Sequence, residues 1–231
     1  MSHISLLSGG AAHGLVRSLA DAFAAETGMQ VRGEFGAVGA MREKLGAGHA
    51  TDIVILTRAI VDSLTRQGTV LGDTVADLGR VRTAVAVRAG DAVPDIGTAE
   101  ALRAALLAAD EIYFPDPAVA TAGIHFARIL ERLDIAASVA SARRVHPNGS
   151  AAMRALAVST ARNPLGCTQA TEILDTPGVA IVGPLPDALA LETVYTAAVC
   201  SAARNVAQAR SFVERLTGRD SVIQRQHCGF E

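Results

Sequence analysis

The chain has 231 residues, half of them hydrophobic but only 3% aromatic, with no tryptophan and a formal net charge of −2. That length suits one large domain or two small ones, with a core built mainly from Ala, Val, Leu and Ile. Acidic and basic residues are mixed along the sequence without a basic block, which excludes a nucleic-acid surface and an anionic-membrane patch, so attraction for an anion must be local.

Met1-Ser2-His3 runs straight into the apolar Ile4–Leu7 without a basic region or cleavage site. The sequence as written therefore reads as cytoplasmic; the alternative is a periplasmic protein whose leader has been removed. No stretch approaches the roughly 20 apolar residues of a membrane span, so no membrane insertion is expected. After the strand Ile4–Leu7 comes the turn Ser8-Gly9-Gly10-Ala11-Ala12-His13-Gly14, then a helix with Leu15, Leu19, Ala22 and Phe23 at helical spacing, stopping at Gly28. An extended segment from Gln30 to Phe35 leads into Gly36-Ala37-Val38-Gly39 and a helix over Met41–Leu45. The apolar run Asp52–Leu56 reads as a strand buried on both faces, followed at Thr57-Arg58 by a helix that stops at Gly68. This βαβαβα rhythm predicts a mostly parallel sheet.

A second region opens near Arg80-Val81-Arg82. Strands are expected at Thr83–Val87, Glu111–Phe114, Ala142–His146, Leu165–Thr168, Val179–Val182 and Val194–Val199. Helices are expected at Thr98–Ala109, from Thr121 through Leu130, after Ser150, around Ala170 and at Val206–Leu216. Cys167, Cys200 and Cys228 are far apart, with no CxxC pair and no histidine cluster, and read as buried small hydrophobes. Neither a metal site nor a cofactor motif is present.

Four small-residue turns stand where a strand gives way to a helix: Ser8–Gly14, Gly36–Gly39, Thr121-Ala122-Gly123 and Asn148-Gly149-Ser150. Helix N-termini expose unpaired N–H groups and the positive end of the macrodipole. Several aimed at one cleft would hold a small anion without a metal. The plainer alternative is that these are ordinary βα loops.

The motif order carries a resemblance. Ser8-Gly9-Gly10-Ala11 before an amphipathic helix, and Phe23 through Gly28, look like the opening of the molybdate-binding protein family. Ala50 through Leu56 resembles that family's (P/A)-A-D-V strand, and Asp116-Pro117 through Ala122-Gly123-Ile124 its D-P-x-x-x-P-A-G-I segment. The likeness covers nearly the whole chain. It implies the type II periplasmic binding protein fold: two α/β lobes, residues 1–82 with 193–231 and residues 83–192, with mostly parallel sheets and a ligand cleft between them. Ala37 and Val38 stand where the family supplies a serine hydroxyl, and Gln169 where it supplies a tyrosine, which argues against molybdate. Ser8-Gly9-Gly10, Ile53 through Arg58, Asp77 through Val81 and Pro177 through Pro186 resemble a branch that includes aconitate isomerase.

Two functions follow. The first is a solute-binding protein that takes a carboxylate or oxyanion and is read by a transporter or a regulator. The second is a cofactor-independent isomerase of a small unsaturated polycarboxylate. His13 could donate to a carboxylate or act as a base, or be a surface helix residue. His125 could reach the cleft or pack beneath Tyr113. Arg58, at a strand end, could clamp a carboxylate or pair with an acid on the following helix. Glu34 reads equally as a base or a solvated acid, and Arg143, Arg144 and His146 as surface charge.

Overall fold

A computed structural model describes residues 3–231; Met1 and Ser2 of the N-terminal reading lie outside them. The chain divides into two compact units, Met1–Val81 with Thr193–Glu231 and Arg82–Glu192. In chain order the first unit holds β1 (His3–Gly9), α1 (His13–Thr27), β2 (Gln30–Gly36), α2 (Val38–Gly46), β3 (Ile53–Thr57) and α3 (Arg58–Arg66). Strand β4 (Ala76–Arg88) carries the chain into the second unit. There follow α4 (Ala99–Ala108), β5 (Glu111–Pro115), α5 (Thr121–Arg132), β6 (Arg143–His146), α6 (Gly149–Ala157), β7 (Pro164–Gln169), α7 (Ala170–Leu174) and β8 (Val179–Pro184). Strand β9 (Glu192–Val199) returns to the first unit, which ends with α8 (Val206–Thr217) and α9 (Val222–His227).

In the first unit β1 lies between β2 and β3, parallel to both, and β9 pairs antiparallel with β3. Ile53, Val54, Ile55 and Leu56 are wholly buried because β3 has strands on both sides and helices over its faces. Helix α1 turns Leu15, Val16, Leu19 and Phe23 inward and stops at Gly28, whose φ of 70° a glycine adopts without strain while its N–H caps Ala24.

In the second unit β5 is parallel to β6 and β7, while β4 pairs antiparallel with β7 and β8. The two-residue period of β4 builds two cores. Val85 and Val87 join Ile112, Phe114 and Leu165 on one face, and Ala84 and Ala86 meet Tyr113, Met153 and Ile173 on the other. Parallel pairings dominate the first unit, as the strand rhythm predicts, whereas the second is mixed, with β4 and β8 adding antiparallel pairings beside the parallel β6-β5-β7. No helix among the described residues is long and apolar enough to cross a membrane.

Candidate functional site

In the first unit the parallel register aligns the strand ends. Gly9 lies opposite Gly36, and Ser8 lies opposite Ile55, so the turns after β1, β2 and β3 share the carboxyl edge of the sheet. That edge is where ligands sit in open α/β sheets. Ser8 is wholly buried, and its hydroxyl donates to the carbonyl of Gly9 at 2.8 Å. Gly10 opens a single 3-10 turn through Ala12, after which His13 begins α1. A Cβ on Gly9 would stand 3.0 Å from both the Tyr195 ring and a Val38 methyl, so the β1 turn is walled by those two side chains. Tyr195 comes from β9 and was not singled out by sequence, because an apolar strand tyrosine carries no motif.

Helix α2 starts at Val38 behind Ala37, whose backbone is extended and which offers no capping side chain. The N–H groups of Val38, Gly39 and Ala40 precede the first bond of the helix, from Met41 N to Ala37 O. His13 shares this edge, edge-on to Phe35 with ring centroids 4.7 Å apart. Arg58 also begins its helix here, but acids already engage it. Its Nε donates to Asp62 at 2.9 Å and its Nη1 to both oxygens of Asp77 at 3.0 and 2.9 Å, while Thr196 donates to Asp77 at 2.6 Å. Glu34 pairs with Lys44.

The second unit repeats the plan with one difference. The ends of β5, β6 and β7 share an edge, and α5, α6 and α7 begin there. Helix α5 starts open: Ala120 is extended and gives no side-chain cap, and the first helical bond is Ile124 N to Ala120 O. Thr121, Ala122 and Gly123 therefore present N–H groups without an intrahelical partner. Gly123 lets this helix start close to its strand, since a Cβ would run into the carbonyls of Pro115 and Asp116.

Helix α6 starts filled. The side chain of Asn148 accepts from Ala151 N at 2.9 Å. The buried carboxyl group of Glu172 accepts from the backbone of Ser150 and of Gln169, and from the Thr168 hydroxyl at 2.6 Å. Burial, the largest influence, pushes the Glu172 carboxyl above its ordinary pKa, against those three donors. A Cβ on Gly149 would collide with this carboxyl group, so only glycine admits it beneath the first turn. Gln169 is buried opposite Thr83 and precedes α7.

His125 lies one turn inside α5, with Nε2 2.8 Å from the carbonyl of Leu189. Of the β6 residues, Arg144 pairs with Glu111 at 3.0 Å and Arg143 donates to the carbonyl of Ala136. His146 stacks on Tyr113 at 5.8 Å, and burial lowers its pKa. All three cysteines are free. The described residues thus bring two sets together, one on the carboxyl edge of each unit. Ser8, Gly9, Gly10, His13, Ala37, Val38 and Arg58 form the first; Thr121, Ala122, Gly123, Asn148, Gly149, Ser150 and Gln169 form the second.

Comparison with known proteins adds independent findings. Residues 4–224 match the family described as bacterial extracellular solute-binding protein. A relative named aconitate isomerase, from a Pseudomonas species, is 28% identical over 236 residues, covering 99% of this chain and 87% of that protein. The Azotobacter vinelandii periplasmic molybdate-binding protein superposes with a TM-score of 0.80 at 18% identity, over 99% of this chain and 98% of that one. The sulfate-binding protein SubI from Mycobacterium tuberculosis superposes with a TM-score of 0.76 at 18% identity, over 100% and 86% of the two chains.

Proposed function

The chain belongs to the bacterial extracellular solute-binding protein family, and from that premise we propose that it captures a small anion, by preference an organic carboxylate, on backbone donors at its strand-to-helix turns. Its fold is the type II periplasmic binding protein fold, shared with the molybdate- and sulfate-binding proteins. The observation that carries the reading is that each unit sets an uncapped helix N-terminus, α2 in one and α5 in the other, at the carboxyl edge of its own parallel strands. An anion there gains N–H donors and a favourable dipole without a metal or a surplus of basic charge. Family membership supports work outside the cytoplasm, where a membrane transporter would read the ligand-bound form.

Ala37 and Val38 offer no hydroxyl at the α2 turn, and Gln169 stands where the resemblance to the molybdate-binding family implies a tyrosine, so molybdate and tungstate should bind more weakly than carboxylates. A thermal-shift screen of oxyanions and di- and tricarboxylates, followed by calorimetry of the hits, tests the ranking. Tight molybdate binding with no carboxylate binding would reverse it. Replacing Gly10 by leucine should abolish the shift, because close ligand approach to the β1 turn requires an absent side chain; an undiminished shift places the ligand elsewhere.

A second reading rests on the relative that is 28% identical across 99% of this chain. Under it, the bound substrate is an unsaturated polycarboxylate and a base moves a proton between two of its carbons, with no cofactor. His13 is the better placed of the two histidines, at the strand edge beside Phe35, whereas Nε2 of His125 is held at Leu189. Proton NMR of cis- and trans-aconitate in deuterated water separates the readings. Interconversion that His13→Ala loses while still binding supports an isomerase with His13 as base; neither interconversion nor deuterium uptake with the unaltered protein leaves capture alone for these substrates.

A further inference from the structure

The two helix starts that flank β5 and β6 have the same backbone design but different occupants. At α5 the N–H groups of Thr121, Ala122 and Gly123 have no intrahelical acceptor and no side chain caps them. At α6 the equivalent place is taken by the chain itself. Glu172 reaches it from α7, accepts the Ser150 N–H and the Thr168 hydroxyl, and lies so close that Gly149 can have no side chain. No lysine or arginine is among its hydrogen-bond partners. A carboxyl group buried without a cation is costly to keep, and Asn148 already caps this helix start by accepting from Ala151 N, so capping alone does not account for Glu172.

We infer that Glu172 is a specificity-determining residue: its carboxyl group occupies the N-terminal end of α6, so that turn is closed to an anionic oxygen of the ligand, and the second unit receives anionic oxygens at α5. The inference rests on the anion-binding reading above and goes further by assigning unequal roles to the two turns. A compact tetrahedral dianion has acceptor oxygens on every side, and at this turn it meets another acceptor group and donors already engaged. An extended carboxylate can keep its charged ends on open turns and present carbon or a hydroxyl to α6. Glu172 therefore discriminates by occupying the donors and the space at this turn.

The test is calorimetric titration of the unaltered protein, Glu172→Ala and Glu172→Gln with sulfate, molybdate and trans-aconitate, each protein first checked by a thermal melt. Alanine frees both the Ser150 N–H and the Thr168 hydroxyl for an incoming oxyanion. Glutamine keeps the shape and an acceptor oxygen but cannot ionise, and its amide N–H adds a donor at the turn. The expected result is a rise of about tenfold or more, in Glu172→Ala, in sulfate affinity relative to trans-aconitate affinity, with a smaller rise of the same sign in Glu172→Gln. If Glu172→Ala does not fold, the ratio in Glu172→Gln decides. A protein that binds trans-aconitate normally, with a ratio unchanged in the folded variants, overturns the role of Glu172 while leaving the anion reading intact. Failure of all three anions to bind any of the proteins removes both.

Discussion

Two buried carboxyl groups at opposite ends of the strands respond to pH with opposite sign. Asp52 precedes β3 and accepts four hydrogen bonds: from Ser5 N at 2.8 Å, Ser5 Oγ at 3.0 Å, Arg204 N at 2.8 Å and Asn205 N at 3.2 Å. Burial alone would raise its pKa, but the backbone donors of Ser5, Asn205 and Arg204, with the Ser5 hydroxyl, together hold it below its ordinary 3.8. Its stabilising contribution is therefore present above that value and lost as pH falls through the lower folded-state value. Asp52→Ala should cost about 3 kcal/mol near neutral pH, because several donors lose a charged acceptor, and the gap between the two proteins should narrow in melts below pH 3.8. Glu172 runs the other way. Its pKa is raised from 4.5 chiefly by burial, so its contribution is complete below that value and declines as pH rises through the higher folded-state value. The unaltered protein should lose stability relative to Glu172→Gln as pH is raised from 4.5 toward neutrality; parallel Tm curves for the two proteins would show that Glu172 titrates alike folded and unfolded.

At the scale of elements, capping divides helix starts that the sequence presents alike. Asn148 caps α6 by a bond to Ala151 N, so Asn148→Ala should cost about 1 kcal/mol of stability. Thr121 makes no capping bond at α5, so Thr121→Ala should leave the unfolding free energy within about 0.5 kcal/mol of the unaltered value. Denaturant titrations of the two variants check the difference, and equal losses would mean that Thr121 supports α5 in a way its bonding does not show. This asymmetry also marks where sequence reading stopped. The apolar periods of α1, β3 and α5 and the glycine turns are local, and they placed both strand-end edges. Glu172 in Ala-Thr-Glu-Ile-Leu carries no motif, and only the fold sets it beneath Gly149. Tyr195 meets Gly9 for the same non-local reason. Strand β4 extends well before Thr83 because backbone pairing tolerates Asp77, Gly79, Arg80 and Arg82, which interrupt the apolar pattern; Arg80 exchanges both backbone bonds with Glu231. Helix α9 was missed because Val222 and Ile223 are its only apolar residues and none of its residues is buried.

The whole molecule is threaded so that one unit is continuous in sequence and the other is not. Residues Arg82–Glu192 contain strands β5–β8 and most of β4, with helices over both faces and two cores of their own. The other unit needs both ends of the chain. Strand β9 covers β3, and Phe212, Val213 and Leu216 of α8 are buried, Phe212 against Phe23 of α1 with ring centroids 4.9 Å apart. Phe230 is also buried, edge-on to Tyr195 at 6.4 Å. A fragment ending at Val81 would leave β3 as an open apolar edge and expose the inner face of α1, both aggregation hazards. We therefore predict that residues 82–192 expressed alone fold cooperatively, whereas residues 1–81 alone do not. Circular dichroism through a urea titration distinguishes them: a sigmoidal transition is expected for the first fragment, and a featureless decline or precipitation for the second. Mixing residues 1–81 with a peptide spanning 193–231 should restore a transition, because the missing strand and helix return in trans. A cooperative transition of residues 1–81 on their own would show that β9 and α8 are accessories to that core rather than parts of it.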